Sequence, residues 1–315
     1  MSRAVFRVEQ VGPLTTIQDR GRPGSMRYGV PNSGPMDRAS FAIAQAALGN
    51  PPEAAAIEVS LGGLALACLE GEVTFAQAGG GFRLEVDGAP REAWSVSRIR
   101  AGQRLVVKPG FWGSWTYLAF AGVIEAPRWL GSQATHALSG FGGGRLAVGQ
   151  EVVIAEARLR PGHEGSLPLP VTARPRPTIR VVLGPQDRFF APETVAAFLD
   201  QSYVLTTDYD RMGVRLKGPP LPIAVPLDMP SEALVRGSVQ VPGHGDPIVL
   251  LADHQSTGGY PKIATLASVD QDGFVQLRPR QTIQFRAITP EAAVAALRTG
   301  RLTLEGYLGM LERRG

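Results

Sequence analysis

The chain has a single cysteine, Cys68, so no disulfide framework can form within it. Cys68 sits between Ala67 and Leu69 in an apolar run, which reads as a buried thiol of a protein kept in a reducing compartment. Apolar stretches are short. Nowhere do 18 consecutive apolar residues occur, and no signal-peptide core precedes the strand-like pattern that begins at Ala4. A cytoplasmic location with no membrane partner is the expectation. The basic residues are dispersed, and six tyrosines and four tryptophans offer little for stacking on bases, which argues against nucleic-acid binding despite a net charge of +4. There is no Walker A loop, no glycine-rich dinucleotide fingerprint after a strand, and no His/Cys cluster at metal-ligand spacing. The run Gly140-Phe141-Gly142-Gly143-Gly144 lacks the Lys-Ser/Thr pair that would complete a phosphate loop. No metal and no nucleotide are therefore expected on this chain alone, and any ATP consumed would be bound by another polypeptide.

What the chain does have is glycine and proline. With 38 and 26 of them spread over 315 residues, the composition favours many short strands joined by tight turns, a mainly β fold with few short helices. Strands are expected at Ala4–Val8, Glu72–Ala76, Arg83–Val86, Arg104–Val107, Thr116–Ala121, Glu151–Ile154, Thr178–Leu183, Val214–Leu216, Ile248–Ala252 and Thr282–Ala287. Helices are expected from Asp37 to Leu48, over Glu193–Leu199, and from Thr289 to a stop at Gly300. Three segments share one pattern of apolar residue, turn, glutamine and strand: Ile99–Val107, Leu146–Ile154 and Leu277–Phe285. Either related β units or convergent turn chemistry accounts for them. Proline and glycine between 158 and 177 read as a linker, giving an N-terminal β domain at 1–165 and a C-terminal one at 175–315, with exchange of strands between them allowed.

The densest polar segment runs from Asp253 through His254, Gln255, Ser256, Thr257, Gly258, Gly259, Tyr260 and Pro261 to Lys262, between two apolar strands. Adjacent glycines admit positive φ and leave N–H groups uncovered, which suits an anionic or carbonyl oxygen. Lysine occurs only at 108, 217 and 262, so nearly all of the 32 basic residues are arginines, and a lysine beside this turn suggests a use for a compact ammonium. Arg211, Glu232, Gln240, Asp253, Gln255 and Tyr260, if convergent, would supply a carboxylate base, amide hydrogen bonds and a cation for an amide or carboxylate substrate. A second polar cluster lies near the N-terminus. There Asp19, Arg20 and Arg22 occupy a turn, and Ser33 and Asp37 flank a helix start where Asp37 is best read as a cap.

Thr16-Ile17-Gln18-Asp19-Arg20-Gly21-Arg22, Gly29-Val30-Pro31, Ser33-Gly34-Pro35-Met36-Asp37, Gly184-Pro185-Gln186-Asp187, Arg211-Met212-Gly213 and Thr257-Gly258-Gly259-Tyr260-Pro261 together resemble the motif set of the allophanate hydrolase subunit 2 family. That family includes the C subunits of 5-oxoprolinases, the regulator KipA and half of the carboxyltransferase domain of urea carboxylase. The resemblance implies a cyclophilin-like β-barrel plus a second, smaller β domain. It also implies partners: a subunit 1 protein, of the KipI or 5-oxoprolinase B type, and a third protein of the 5-oxoprolinase A type. The implied activity is ATP-dependent opening of 5-oxo-L-proline to L-glutamate by the complex, with this chain inactive alone. Two alternatives belong to the same family: a carboxyltransferase served by a biotin carrier, and a non-catalytic regulator of the KipA type. The chain has no Met-Lys biotin-attachment sequence, so biotin would arrive on another polypeptide.

Within that reading the Gly258 and Gly259 N–H groups and Lys262 are expected to stabilise an oxyanion or phosphate. Asp253 or Glu232 is the base, and Arg20 or Arg211 clamps a substrate carboxylate. Tyr260 stands with the catalytic set, and Asp19, Ser33, Gln240, Gln255 and Thr257 with the substrate-binding set. The chain departs from the family pattern at Val123, Ala134, Arg188 and Ser256. The Asp187-Arg188 pair reverses a charge near the expected site, which loosens the substrate assignment more than the fold.

Overall fold

The computed structural model describes residues 2–224 and 229–313. By contacts the chain divides into two units. The first comprises Met1–Arg22, Ser33–Arg174 and Leu304–Gly315; the second comprises Pro23–Asn32 and Pro175–Thr303. This division differs from the expected ranges 1–165 and 175–315 by two excursions, the short segment before Ser33 and the end of the chain.

The first unit is built on two sheets. A seven-stranded sheet runs in the order Val123–Ile124, Glu151–Ala155, Arg3–Val11, Leu64–Glu70, Arg104–Lys108, Arg83–Val86, Ala89–Arg91. A six-stranded sheet runs Gly165–Ser166, Ser95–Arg100, Glu72–Ala78, Trp115–Phe120, Ala56–Ser60, Thr16–Gln18. Side chains of both sheets fill one core, in which Phe6 meets Phe120 at 5.1 Å between ring centroids and Phe120 meets Phe75. Cys68 lies in this core as expected, and burial pushes its thiol pKa up.

The second unit contains a closed seven-stranded barrel: Thr178–Leu183, Lys262–Leu266, Ser238–Gln240, Ile248–Leu250, Gly213–Lys217, Ser202–Tyr209 and Thr282–Ala287. The last strand returns to the first in parallel, Ile179 opposite Phe285, and the other pairings are antiparallel. Alternate residues on several of these strands are buried, among them Ile179, Val181, Tyr203, Leu205, Val214, Leu216, Ile283 and Phe285. Phe198, on the helix Pro192–Asp200, stacks on Phe285 at 4.5 Å. The fold is thus mostly β, with a closed barrel in one unit and a second β unit beside it in sequence, as expected; of the two, the two-sheet unit holds more residues.

Every strand segment expected from the sequence overlaps an observed strand. The three repeated segments share a physical device. Gln103, Gln150 and Gln281 each donate a backbone N–H to the carbonyl three residues back, at 3.1 Å. Each side-chain oxygen then accepts the N–H of that same residue, Arg100 at 3.0 Å, Ala147 at 3.0 Å and Arg278 at 2.7 Å. The residue before the glutamine takes a left-handed conformation in each, Gly102 at φ 84°, Gly149 at 86° and Arg280 at 73°. The same turn chemistry thus recurs in all three segments and is sufficient to account for the shared pattern. The last helix does not stop at Gly300; it runs Pro290–Glu312. A glycine costs about 1 kcal/mol in a helix interior. That is outweighed where Leu304, Tyr307, Leu308 and Met310 pack on the first unit's core and Leu311 is buried. Gly300 has a role of its own, since a Cβ there would come within 2.7 Å of Val269 Cγ2. Among the described residues no helix is long and apolar enough to cross a membrane.

Candidate functional site

In the second unit, the segment expected to be an open connection contains a two-residue strand, Thr257–Gly258, paired with Glu232–Ala233. The Leu234 N–H donates to the Ser256 carbonyl at 2.9 Å, so by antiparallel alternation Glu232 and Gly258 form the next hydrogen-bonded pair. The Gly258 N–H is thereby turned into the ladder, not toward a ligand. Neither Gly258 nor Gly259 takes a positive φ. The expected left-handed glycine hinge is corrected: Gly258 is there because space is short, its missing Cβ facing Gln240 Nε2 and Leu234 Cδ1 at 2.9 Å and Gln255 Nε2 at 3.5 Å. Gly259 is open, with nothing nearer than 3.8 Å. Gly258→Ala is therefore expected to cost about 1–3 kcal/mol by forcing Gln240 aside. Gly259→Ala should stay within about 0.5 kcal/mol; urea midpoints of the two variants check this.

Three elements bring Glu232, Lys262 and Gln186 together. Lys262 opens the strand Lys262–Leu266 and is buried; its Nζ donates to the Ala233 carbonyl at 2.9 Å and lies 3.6 Å from Glu232 Oε2. Gln186 follows the strand Thr178–Leu183, in a turn held on the neighbouring strand by Gly184 N–H to Ile263 O and Gln186 N–H to Lys262 O. Its side-chain oxygen accepts the Lys262 N–H at 3.0 Å, and its Nε2 donates to Glu232 Oε2. The Glu232 side chain keeps 39% of its surface exposed while that of Lys262 keeps 7%, so the carboxylate is the accessible member of an ion pair whose cation is shielded. Gln240 is buried and donates to the Tyr260 carbonyl at 3.3 Å; Tyr260 itself is exposed. Thr257 is exposed and Gln255 half-buried. Glu232, Lys262, Gln240, Gln255 and Gly258 thus converge, while Gln186 was not counted as a site residue although its motif was noted.

Asp253 and Arg211 stand differently. They form a two-bond ion pair, Arg211 Nε to Asp253 Oδ2 at 3.1 Å and Nη2 to Oδ1 at 3.0 Å, and both side chains are 0% exposed. The expectations that Asp253 serves as a base in a solvated cleft and that Arg211 clamps a substrate are corrected by this geometry. A carboxylate bound fork-on-fork to a guanidinium with both side chains fully buried is a strong, desolvated ion pair that solvent does not reach.

In the first unit, Asp19 is buried and spends its oxygens on the chain itself. Oδ1 accepts from Gly21 N–H at 2.9 Å and Ser132 Oγ at 2.6 Å, and Oδ2 accepts from Gln133 N–H at 2.6 Å. It organises the loops around Gly21 and Ser132–Gln133, and both of its oxygens are engaged within the chain. Arg20 is exposed, whereas Arg22 is buried with its guanidinium 4.7 Å from the Trp129 ring centre. Asp37 caps the helix Arg38–Ala46, accepting from Ser40 N–H at 2.9 Å and Ser40 Oγ at 2.6 Å. Ser33 is buried at φ 53° with its hydroxyl making no protein hydrogen bond. The turn before the cap rests on a group the sequence reading missed, Glu58. Its Oε2 accepts from Met36 N–H at 2.8 Å and from Tyr117 Oη at 2.7 Å, while Tyr117 Oη accepts from Asp37 N–H at 2.8 Å. Burial first, then the charges of Glu58 and Asp37, pushes the Tyr117 phenol well above its ordinary pKa and keeps it a donor.

A family model described as "Carboxyltransferase domain, subdomain A and B" matches residues 28–287, which include both the barrel and the Glu232–Lys262 cluster. The chain belongs to that carboxyltransferase domain family. It is 34% identical to the 5-oxoprolinase C subunit of Haemophilus influenzae over 92% of this chain and 93% of the relative. It is likewise 34% identical to the 5-oxoprolinase C subunit of Escherichia coli over 93% and 94%. Among solved structures, the Kluyveromyces lactis urea carboxylase superposes with a TM-score of 0.86 at 27% identity, covering 98% of this chain. The chain spans only 29% of that solved chain. The carboxyltransferase-domain fold is thus met both in relatives of about this chain's length and as one part of a much longer enzyme.

Proposed function

We propose that this carboxyltransferase-family chain is the cytoplasmic C subunit of an ATP-dependent 5-oxoprolinase-type complex. The observation that carries the reading is extent: the relatives named as 5-oxoprolinase C subunits are matched almost end to end, whereas the urea carboxylase is matched over 29% of its solved chain. The chemistry of the Glu232–Lys262 cluster supports it. A lactam is stabilised by amide resonance, and opening it requires an activated oxygen, a base for the attacking water and charge stabilisation. Glu232, accessible at its carboxylate, takes the proton of the water that adds to the lactam carbon. Lys262 holds that carboxylate in place from its shielded side, and the open space at Gly259 offers room for the substrate's close approach. ATP enters through a partner protein: the lactam oxygen attacks its γ-phosphorus and ADP leaves. Once water has added to the activated carbon the C–N bond breaks, the nitrogen taking up a proton as it leaves as an amine, and a second water hydrolyses the resulting acyl phosphate to give glutamate and phosphate.

The test is reconstitution with partner proteins of the 5-oxoprolinase A and B types. The purified chain alone is expected to hydrolyse neither ATP nor 5-oxo-L-proline, with coupled glutamate and ADP formation only in the mixture. Robust turnover by the single chain would overturn the division of labour. The urea carboxylase match favours a second reading, a carboxyltransferase served by biotin on another chain. Under it, avidin would abolish the complex's activity, and under the leading reading avidin has no effect.

A further inference from the structure

Glu232 sits on a two-residue strand, and more than a third of its side chain is exposed, so its own backbone does little to fix where the carboxylate lies. Gln186 is 1% exposed and is anchored twice to Lys262, by its backbone N–H to the Lys262 carbonyl at 3.1 Å and by its side-chain oxygen from the Lys262 N–H at 3.0 Å. The second bond decides which way the amide points. With Oε1 on the Lys262 N–H, Nε2 is left facing Glu232 Oε2 and donates to it. The reversed amide would set donor against donor at Lys262 and acceptor against acceptor at Glu232, so a single orientation is permitted.

From this geometry we infer that Gln186 is a positioning residue that holds the Glu232 carboxylate in its working orientation by a fixed amide clamp set by the Lys262 backbone. The inference rests on the proposed role of Glu232 as base for its catalytic consequence, though not for the clamp itself. Lys262 alone does not substitute for it: its Nζ is 3.6 Å from Glu232 Oε2 and already donates to Ala233 O, and an ammonium is non-directional where an amide N–H is not. The side chain must also be a glutamine. Asparagine is a methylene too short to reach both partners, and leucine fills the space with no polar atom. Glutamate retains an acceptor for the Lys262 N–H but turns a second carboxylate oxygen toward Glu232.

That last property separates positioning from structural support. In the complex assembled with its partner proteins, Gln186→Glu is expected to fold, since the Lys262 N–H stays satisfied, with a melting temperature lowered by the second carboxylate it buries against Glu232. Its kcat should fall by about 10–100-fold with KM changed less than about threefold. Gln186→Leu should lose a similar factor in kcat, and in a Glu232→Gln background either change should add less than about threefold, because both act through the same carboxylate. A well-folded Gln186→Glu with unchanged kcat, or effects that multiply with those of Glu232→Gln, overturns the inference. A substrate-independent arm uses the chain itself: NMR side-chain couplings of Glu232 should report one χ1 rotamer in the wild type and averaging in Gln186→Glu. A single unaltered rotamer in the variant sinks the clamp whatever Glu232 does in catalysis. If instead Glu232→Gln retains full activity while the rotamer averages, the clamp stands and the base assignment falls.

Discussion

Asp253→Asn should destabilise the barrel unit by about 3–5 kcal/mol, since removing one partner of a buried ion pair leaves the other charge desolvated and uncompensated. Arg211 and Asp253 are both 0% exposed and joined by two hydrogen bonds, and the Asp253 N–H also donates to the Arg211 carbonyl at 2.7 Å. For a unit of this size the loss corresponds to a fall in melting temperature on the order of 10 °C. Arg211→Met should cost as much or more, because it removes the two charge-assisted hydrogen bonds from a fully buried carboxylate. The double variant Arg211→Met with Asp253→Leu should recover a large part of the loss, for an apolar pair of similar volume has no charge to desolvate. Thermal melts of the three variants decide the matter. If Asp253→Asn melts with the wild type while the complex loses turnover, the pair is a catalytic dyad and not a structural one.

That expectation reverses the one the sequence suggested, and the reversal marks where sequence reading stops. The mainly β architecture was legible because apolar strands such as Thr178–Leu183 and Glu72–Ala78 stand out between glycine and proline turns. Strands with polar alternation were missed. Ser95–Arg100 and Ser202–Tyr209 carry serine, arginine or aspartate among their β-favouring residues, which dilutes the apolar signal, and the apolar strands Ala56–Ser60 and Leu64–Glu70 were missed as well. At the candidate site, the residue types in the Asp253–Lys262 segment were legible, but their pairing depends on distant elements. Asp253 is buried because Arg211 meets it, and Lys262 reaches Glu232 because a two-residue strand lies alongside. A signal was available for Glu58: one carboxylate in the apolar run Ala56-Ile57-Glu58-Val59-Ser60 is costly unless it is bound, and Tyr117 and the Met36 N–H bind it. The glycine pair misled in the opposite sense. A Gly-Gly dipeptide admits positive φ but does not require it, and here the close approach of Gln240 and Leu234 explains Gly258.

Glu232→Gln is expected to lower kcat of the reconstituted complex by about 10²-fold or more while hardly affecting stability, since the side chain is 39% exposed and its pairing is partly screened by solvent. The amide still accepts from Gln186 and keeps the shape of the site, yet it cannot take a proton from water, so the defect should fall on kcat and leave KM nearly intact. Lys262→Met should behave differently. It removes the donor to the Ala233 carbonyl as well as the cation, and a shielded hydrogen bond of this kind is worth roughly 1–2 kcal/mol, so stability and turnover should fall together. Comparing the two separates chemistry from architecture: turnover per folded molecule is expected to drop further in Glu232→Gln than in Lys262→Met. If Glu232→Gln keeps wild-type kcat in a folded, assembled complex, no accessible carboxylate in this cluster is the base. The Glu232–Lys262 pair would then serve only to tie the short strand Glu232–Ala233 to the barrel.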